Sequence, residues 1–299
     1  MHKYPFKIVA MICALNEEEY IEYAIKQVVD VIDDVVVVLG GRPWNWNQYK
    51  TPFKFDRTEE IVRSLAKQHK NIHILQAPEP RAVREGARRG SNARNSQNAH
   101  RQIALDKIKV MYPHEKYRYC FWLDADEFYT KEGLEALLKT VNHRKRSYNS
   151  FSVPFRFYWR SFHYELELNK PLRHINRVFR IYDGTHYRSG QYNKISTAKP
   201  NHGLPVDQIL CHHMTTCRSA ESMLFKICTR AYAENRVDQM TDWYNNVFLK
   251  WADNTAMEDL HPTNPHVYKR ANYLDHETGK YPFPEHLKLH PYYKMEIVK

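Results

Sequence analysis

The sequence has 299 residues, of which 42% are hydrophobic, so the chain is long enough to bury one large core. Its formal net charge of +11 indicates an anionic partner, either nucleic acid, a membrane surface or a phosphorylated substrate. Five cysteines without a C-x-x-C pair argue against a disulfide scaffold, and no segment approaches the ~20 apolar residues of a membrane-spanning helix. The first apolar run ends at Glu17, too early for a secretory signal, which predicts a cytoplasmic protein.

The first half of the chain alternates short apolar strands with amphipathic helices. Residues 7–15 predict the first strand, and Asn16 followed by Glu19 predicts the N-cap of the next helix. Asp56 with Glu59 predicts the start of another helix. Further strands are predicted at 35–39, 71–75 and 118–123, and further helices at 99–110 and after Thr130. This order predicts an α/β fold in which helices cover both faces of a mostly parallel sheet.

The pattern changes near Phe151 to aromatic strands such as "SFSVPFRFYW", followed by a helix near residues 219–235. The last sixty or so residues show weak periodicity. We therefore predict an N-terminal α/β half, residues 1–150, and a more irregular α+β half, residues 151–299, packed against it.

The fourth strand, in "RYCFWLDADEFYT", ends in three carboxylates, Asp124, Asp126 and Glu127. Ligands collect outside the carboxyl ends of strands in open α/β sheets. On an extended backbone Asp124 and Asp126 would point to one side, about 7 Å apart, with Ala125 pointing away. Two such oxygen ligands suit Mg²⁺ or Mn²⁺. The alternative is a solvated acidic turn that caps the next helix.

Four segments, in the same order, resemble family 2 glycosyltransferases with the GT-A fold. "KIVAMICALNEEEYIEYAI" resembles their first strand, N-E loop and helix, and "FDRTEEIVRSLAKQ" resembles their D-x-T segment. "ARNSQNAHRQIAL" resembles the A-R-N helix, and "FWLDADEF" resembles the D-x-D metal site. Together these segments lie between residues 7 and 130.

The resemblance implies transfer of a sugar from a nucleoside diphosphate donor to a glycan, lipid-linked or protein acceptor, with Mn²⁺ or Mg²⁺ as cofactor. It implies that Ala14, Asn16 and Glu17 line the nucleotide, that Asp124 faces the ribose and the metal, and that Asp126 binds the metal. Since asparagine also favours N-caps, Asn16 has a structural alternative. The enzyme would act in the cytosol or peripherally at the cytosolic face of a membrane.

The sequence departs from the family in two places. Many members end the second strand with an acidic residue that contacts the base, whereas this chain has Leu39 followed by two glycines. Asp56 then serves the nucleotide or only caps its helix. The late acidic residue that acts as the base in inverting transfer is also missing, which leaves Asp207 and Glu165 as candidate catalytic bases.

Two further clusters stand out. Six arginines lie from Arg81 to Arg101 and could clamp a diphosphate or attract an acidic acceptor; the alternative is a solvated basic face. Arg94 is the one that matches the A-R-N segment, which implies a role in donor binding. The segment "CHHMTTCRSAESMLFKI" resembles the H-x-x-x-x-R-S helix start of bacterial and viral family members, which implies that His213 is an additional metal ligand. On a strand, His212 would face the opposite side.

Two other functions are less well supported. A sugar-nucleotide nucleotidyltransferase would need a glycine-rich phosphate loop with a lysine after the first strand, and "ALNEEEY" has neither. A nucleic-acid-binding protein would have aromatic side chains among the clustered arginines, and none occurs there.

Overall fold

A computed structural model describes residues 4–49, 52–82, 91–169, 173–188, 195–197, 199–252, 260–263, 267–276 and 282–297. Within these ranges, no helix combines the length and the apolar character needed to cross a membrane. All five cysteines are free thiols.

The described regular structure contains eleven strands and six α-helices, together with short 3₁₀ or π segments at Ala231–Ala233, Tyr244–Phe248, Glu285–Leu289 and Pro291–Lys294. The strands are β1 (Lys7–Ala14), β2 (Asp34–Leu39), β3 (Ile72–Gln76), β4 (Arg118–Trp122), β5 (Glu127–Phe128), β6 (Ser150–Trp159), β7 (Tyr164–Leu168), β8 (His174–Arg180), β9 (Asn201–Gly203), β10 (Cys211–Thr216) and β11 (Tyr268–Tyr273). The helices are α1 (Ile21–Lys26), α2 (Thr58–Gln68), α3 (Ser91–Met111), α4 (Lys131–Arg144), α5 (Ala220–Thr229) and α6 (Val237–Trp243).

Four parallel strands form the centre of the sheet, in the order β3-β2-β1-β4. The run "DVVVVL" of β2 is buried along five of its six residues, as expected for a parallel strand covered on both faces. The chain moves outward from β1 through β2 to β3 and then returns to place β4 on the other side of β1. A ligand-binding crevice is expected where the strand order reverses, between the carboxyl ends of β1 and β4.

Helices cover both faces of this parallel core. Alternate residues of β1, such as Ile8 and Ile12, pack with apolar side chains of α1, α2 and α4. The other residues of β1, such as Val9 and Met11, pack with Ala104, Leu105 and Ile108 of α3. The predicted α/β architecture with helices on both faces is therefore confirmed.

Beyond β4 the sheet continues through antiparallel β8, β6, β7 and β11. The predicted division at residue 150 stays a prediction, and the sheet crosses it without interruption. β10 pairs with both β5 and β6, which brings the histidine pair beside the acidic turn after β4. A third apolar cluster packs α5 and α6 against Trp159 and Tyr164.

Helix starts are the main local corrections. Thr130 caps α4 as predicted, because its hydroxyl accepts the Gly133 amide at 3.0 Å. Asn16 is not an N-cap: α1 begins at Ile21, after Tyr20. Asn16 has a φ of 52°, in the left-handed region, so its backbone turns the chain instead of starting a helix.

Asp56 is one residue too early to be the N-cap of α2, a position that Arg57 occupies. Its carboxylate nevertheless accepts the Thr58 amide at 2.8 Å, so it still stabilises the first turn. Helix α3 begins at Ser91, eight residues before the predicted start.

Candidate active site

A cavity of about 200 Å³ lies at the carboxyl ends of β1 and β4, where the strand order reverses. Its first wall consists of residues that follow β1, β2 and β4, among them Glu17, Gly40, Asp124 and Asp126. Its second wall comes from β10 and α5 and includes His213, Phe225, Lys226 and Arg230. Ala14 and Asn16 also line the first wall.

The D-x-D segment is a turn and not an extended strand. β4 ends at Trp122, and the Glu127 amide donates to the Asp124 carbonyl at 3.1 Å. The alternation predicted for Asp124, Ala125 and Asp126 is therefore wrong, because it assumed extended backbone. Both carboxylates still line the cavity, and Ala125 is buried beside them.

Asp124 is fixed by two donors and remains accessible, with its side chain 32% exposed. One oxygen accepts the Trp122 indole N–H at 2.9 Å, and the other accepts the Arg177 guanidinium at 3.2 Å. Burial raises the pKa of Asp124, but Arg177 and Arg101 outweigh that effect and hold the pKa below its ordinary value. Asp124 is an oriented anion at neutral pH.

Asp126 is buried, with its side chain only 3% exposed. Its Oδ2 accepts Lys226 Nζ at 2.7 Å and lies 3.4 Å from Arg218, while its Oδ1 lies 3.5 Å from His213 Nε2. Burial raises the pKa of this carboxyl, but Lys226, His213 and Arg218 hold it well below its ordinary range. Asp126 therefore carries a full negative charge in a nearly dry setting.

Glu127, the third carboxylate after β4, has a structural role. It is fully buried, forms an ion pair with Arg177, and lies 3.5 Å from the Asp124 amide. Arg177 in turn stacks over the Trp122 and Phe155 rings. Glu127 and Arg177 thus support the turn that presents Asp124 and Asp126.

The loop after β1 is tied to the segment before α2. Asn16 donates its side-chain amide to the Lys54 carbonyl at 2.8 Å and accepts the Asp56 amide at 3.3 Å. Asp56 accepts the Glu18 amide at 2.9 Å and does not line the cavity. Asp56 therefore positions the loop, while Asn16 and Glu17 reach the cavity.

The two adjacent histidines of β10 face opposite sides, as predicted. His213 lines the cavity, whereas His212 is buried and its Nδ1 lies 2.7 Å from the Tyr158 hydroxyl. Burial holds the pKa of His212 well below its ordinary value. His212 is thus a neutral core residue, and His213 is the one available to a ligand.

Helix α3 contributes a different arginine from the one the resemblance indicates. Arg94 is half-buried and does not line the cavity, whereas Arg101, two turns further along, lines it and stacks 3.9 Å above the Trp122 ring. His100 lines it too, accepting the Trp44 indole at 3.1 Å, and burial lowers its pKa to about 4. Arg84, Arg88 and Arg89 lie outside the described residues.

The structure does not bring the two candidate bases to this cavity. Asp207 is exposed between β9 and β10. Glu165 lies on β7 and pairs with Arg156 at 3.2 Å, beside a separate cavity, and burial raises its pKa despite that arginine. Among the described residues, the carboxylates that line the first cavity are Glu17, Asp124 and Asp126.

Sequence reasoning did not select Lys226 or Arg218, which make the closest contacts to Asp126 and Glu17. Arg218 falls within the H-x-x-x-x-R-S segment, which was a usable signal. No local sequence pattern marks Lys226 as a site residue, because its position at the cavity depends on how α5 packs against the loop after β1.

In the part of the chain that the structure describes, no group of three or more His, Cys, Asp or Glu side chains is arranged to hold a metal. Two donors are nevertheless suitable. Asp126 Oδ1 and His213 Nε2 are 3.5 Å apart, too far for a good hydrogen bond but close enough for one ion to contact both. His213 Nδ1 is buried without a hydrogen-bond partner among the described residues, and the ring packs edge-on against Phe155 and Phe157. These two groups fit a metal that takes its remaining ligands from a phosphorylated substrate.

No protein-family model and no curated protein matches the sequence. Among solved structures, residues 1–349 of TarS from S. aureus match with 13% identity and a TM-score of 0.40, over 81% of this chain and 71% of that one. Glucosyl-3-phosphoglycerate synthase from Mycobacterium tuberculosis, in complex with Mn²⁺, UDP-glucose and phosphoglyceric acid, matches with 15% identity and a TM-score of 0.30, over 50% of this chain and 44% of that one.

Proposed function

We propose that the protein is a glycosyltransferase that moves a sugar from a nucleoside diphosphate donor to an acceptor hydroxyl, with a divalent cation, Mn²⁺ or Mg²⁺. The carrying observation is that the N-E loop, both D-x-D carboxylates and His213 line one cavity at the strand-order reversal. These residues come from two of the segments that resemble family 2 enzymes of GT-A fold and from the later histidine segment.

In this proposal, Asp126 and His213 hold the cation, and Asp124 orients the donor from the accessible side of the turn. The bound cation would stabilise negative charge that develops on the diphosphate leaving group. Arg101 and Lys226 add positive charge on two sides of the cavity. The nitrogen of His213 favours Mn²⁺ over Mg²⁺, since imidazole is a softer ligand than carboxylate.

Asp207 and Glu165 are not part of this site, because neither lines the cavity. Asp207 therefore provides a matched control for Asp126: the same residue type, exposed and away from the cavity.

The test is a thermal-shift panel of nucleoside diphosphates with and without Mn²⁺, followed by donor-sugar hydrolysis. We expect at least one nucleotide to stabilise the wild type only with Mn²⁺, by about 2.7 kcal/mol at 100 times its Kd. Asp126→Asn should lose this stabilisation relative to its own nucleotide-free protein, and Asp207→Asn should keep it. If no nucleotide stabilises the wild type, or if Asp126→Asn responds normally, the proposal is wrong.

A further inference from the structure

Two carboxylates, Glu17 and Asp126, share two cations, Arg218 and Lys226, at the base of the cavity. Lys226 Nζ lies 2.9 Å from Glu17 Oε1 and 2.7 Å from Asp126 Oδ2. Arg218 pairs with Glu17 and lies 3.4 Å from Asp126 Oδ2. The ammonium of Lys226 thus bridges the same two acids that the loop after β1 and the D-x-D turn present to a ligand.

The two cations differ in their freedom to move. Arg218 is fully buried, stacks 4.9 Å from the Tyr20 ring and also pairs with Glu19, so it is fixed from three sides. Lys226 is 17% exposed, lines the cavity and has a flexible four-carbon stem. Arg218 is therefore a permanent counter-ion, and Lys226 is able to change partners.

The position of Lys226 affects how tightly Asp126 and His213 would bind a metal when no nucleotide is present. Lys226 and a cation held by Asp126 Oδ1 and His213 Nε2 would share a single carboxylate, and like charges that close repel strongly in a poorly hydrated site. A divalent ion that takes Asp126 as a ligand must therefore displace the Lys226 ammonium or lie close to it. A diphosphate would give that ammonium another anionic partner.

We propose that Lys226 is a partner-exchanging cation that suppresses divalent-metal binding until the donor arrives, and that its ammonium then moves from Asp126 to the diphosphate. This inference rests on the proposed function and specifies the order of binding at that site. Lys226 is accordingly a positioning residue in the empty protein and contacts the leaving group in the loaded one.

The experiment measures Mn²⁺ binding without nucleotide, by the electron paramagnetic resonance signal of free Mn²⁺, in the wild type and in Lys226→Met. We expect Lys226→Met to bind Mn²⁺ at least tenfold more tightly, because the competing charge is gone. Lys226→Arg should resemble the wild type. Lys250→Met removes an exposed lysine that bonds Asn246 and is the matched control; its Mn²⁺ affinity should not change.

An unchanged or weaker Mn²⁺ affinity in Lys226→Met, or no binding by either protein, overturns the inference. Lys226→Gln, which keeps a polar end group, gives the same comparison if the methionine variant does not fold. The proposed function is judged separately, by Mn²⁺-dependent donor hydrolysis in the wild type. If the wild type hydrolyses the donor but Lys226→Met shows no gain in Mn²⁺ affinity, the partner exchange of Lys226 is rejected and the proposed function is retained.

Discussion

The two walls of the cavity are built in different ways. The first wall follows directly from strand ends, where the loop after β1 and the turn after β4 place Glu17, Asp124 and Asp126. The second wall, on β10 and α5, is joined to Glu17 and Asp126 by ion pairs of Arg218 and Lys226. The paired residues are 92 to 209 positions apart in the sequence. Acidic groups at strand ends are thus set by local structure, whereas their counter-ions depend on tertiary packing.

The largest expected effect comes from removing Arg218, the buried cation between β10 and α5. Arg218→Met should lower the free energy of unfolding by about 3–5 kcal/mol, because it removes the buried cation that Glu17, Glu19 and Asp126 share. Urea unfolding measures the loss. Arg63→Met, on the exposed face of α2, should change it by no more than about 0.5 kcal/mol. Equal effects of the two substitutions would show that the walls do not depend on this ion-pair network.

The histidine pair sharpens the comparison, because neighbouring residues of β10 belong to different environments. His213→Ala should weaken Mn²⁺ binding with nucleotide on the order of tenfold and should cost less stability than His212→Ala, because the His213 ring is partly exposed. His212→Ala should cost about 2 kcal/mol of stability, since it removes a buried ring bonded to Tyr158, and should leave Mn²⁺ affinity intact. Metal titration and urea unfolding of both variants should give opposite patterns. Parallel losses in both would remove His213 from the proposed site.

The smallest expected effect is that of Asn16→Gly, in the loop of the first wall. Asn16→Gly suits the left-handed backbone but loses two hydrogen bonds, which should cost about 1 kcal/mol. Asn16→Ala loses the same bonds and adds strain of about 1–2 kcal/mol, because alanine disfavours positive φ. In urea unfolding, the free energy of unfolding should therefore fall from the wild type to Asn16→Gly and fall further in Asn16→Ala. If Asn16 also contacts the nucleotide, the two variants should lose nucleotide affinity to a similar extent, and an unaffected affinity would limit Asn16 to the loop.

Much of the first wall was predictable, because it depends on short-range patterns. Apolar runs located β1 to β4, and the change from Trp122 to Asp124 marked a strand end. The errors came from backbone geometry that residue type does not specify: Asn16 is compatible with both an N-cap and a left-handed turn.

The second wall was predicted only in part. The opposite orientations of His212 and His213 follow from strand geometry, but Lys226 shows no pattern that separates it from any other lysine on a helix. Its role arises because α5 packs beside the loop after β1. Arg94 and Arg101 illustrate the same limit, since a spacing of two helical turns does not reveal which of them reaches the cavity.

The anchoring of α5 has a consequence for how the molecule is made. Glu19 accepts hydrogen bonds from the Ser219 amide, the Ser219 hydroxyl and the Ser222 hydroxyl, so the loop after β1 holds the start of a helix 200 residues later in the chain. During synthesis the parallel strands emerge first, with the acids of the first wall still open to water. Closing so long a loop is slow compared with forming local contacts. We therefore expect the cavity to form late in folding: a nascent chain that ends before α5 would present the carboxylates of the first wall without the second wall.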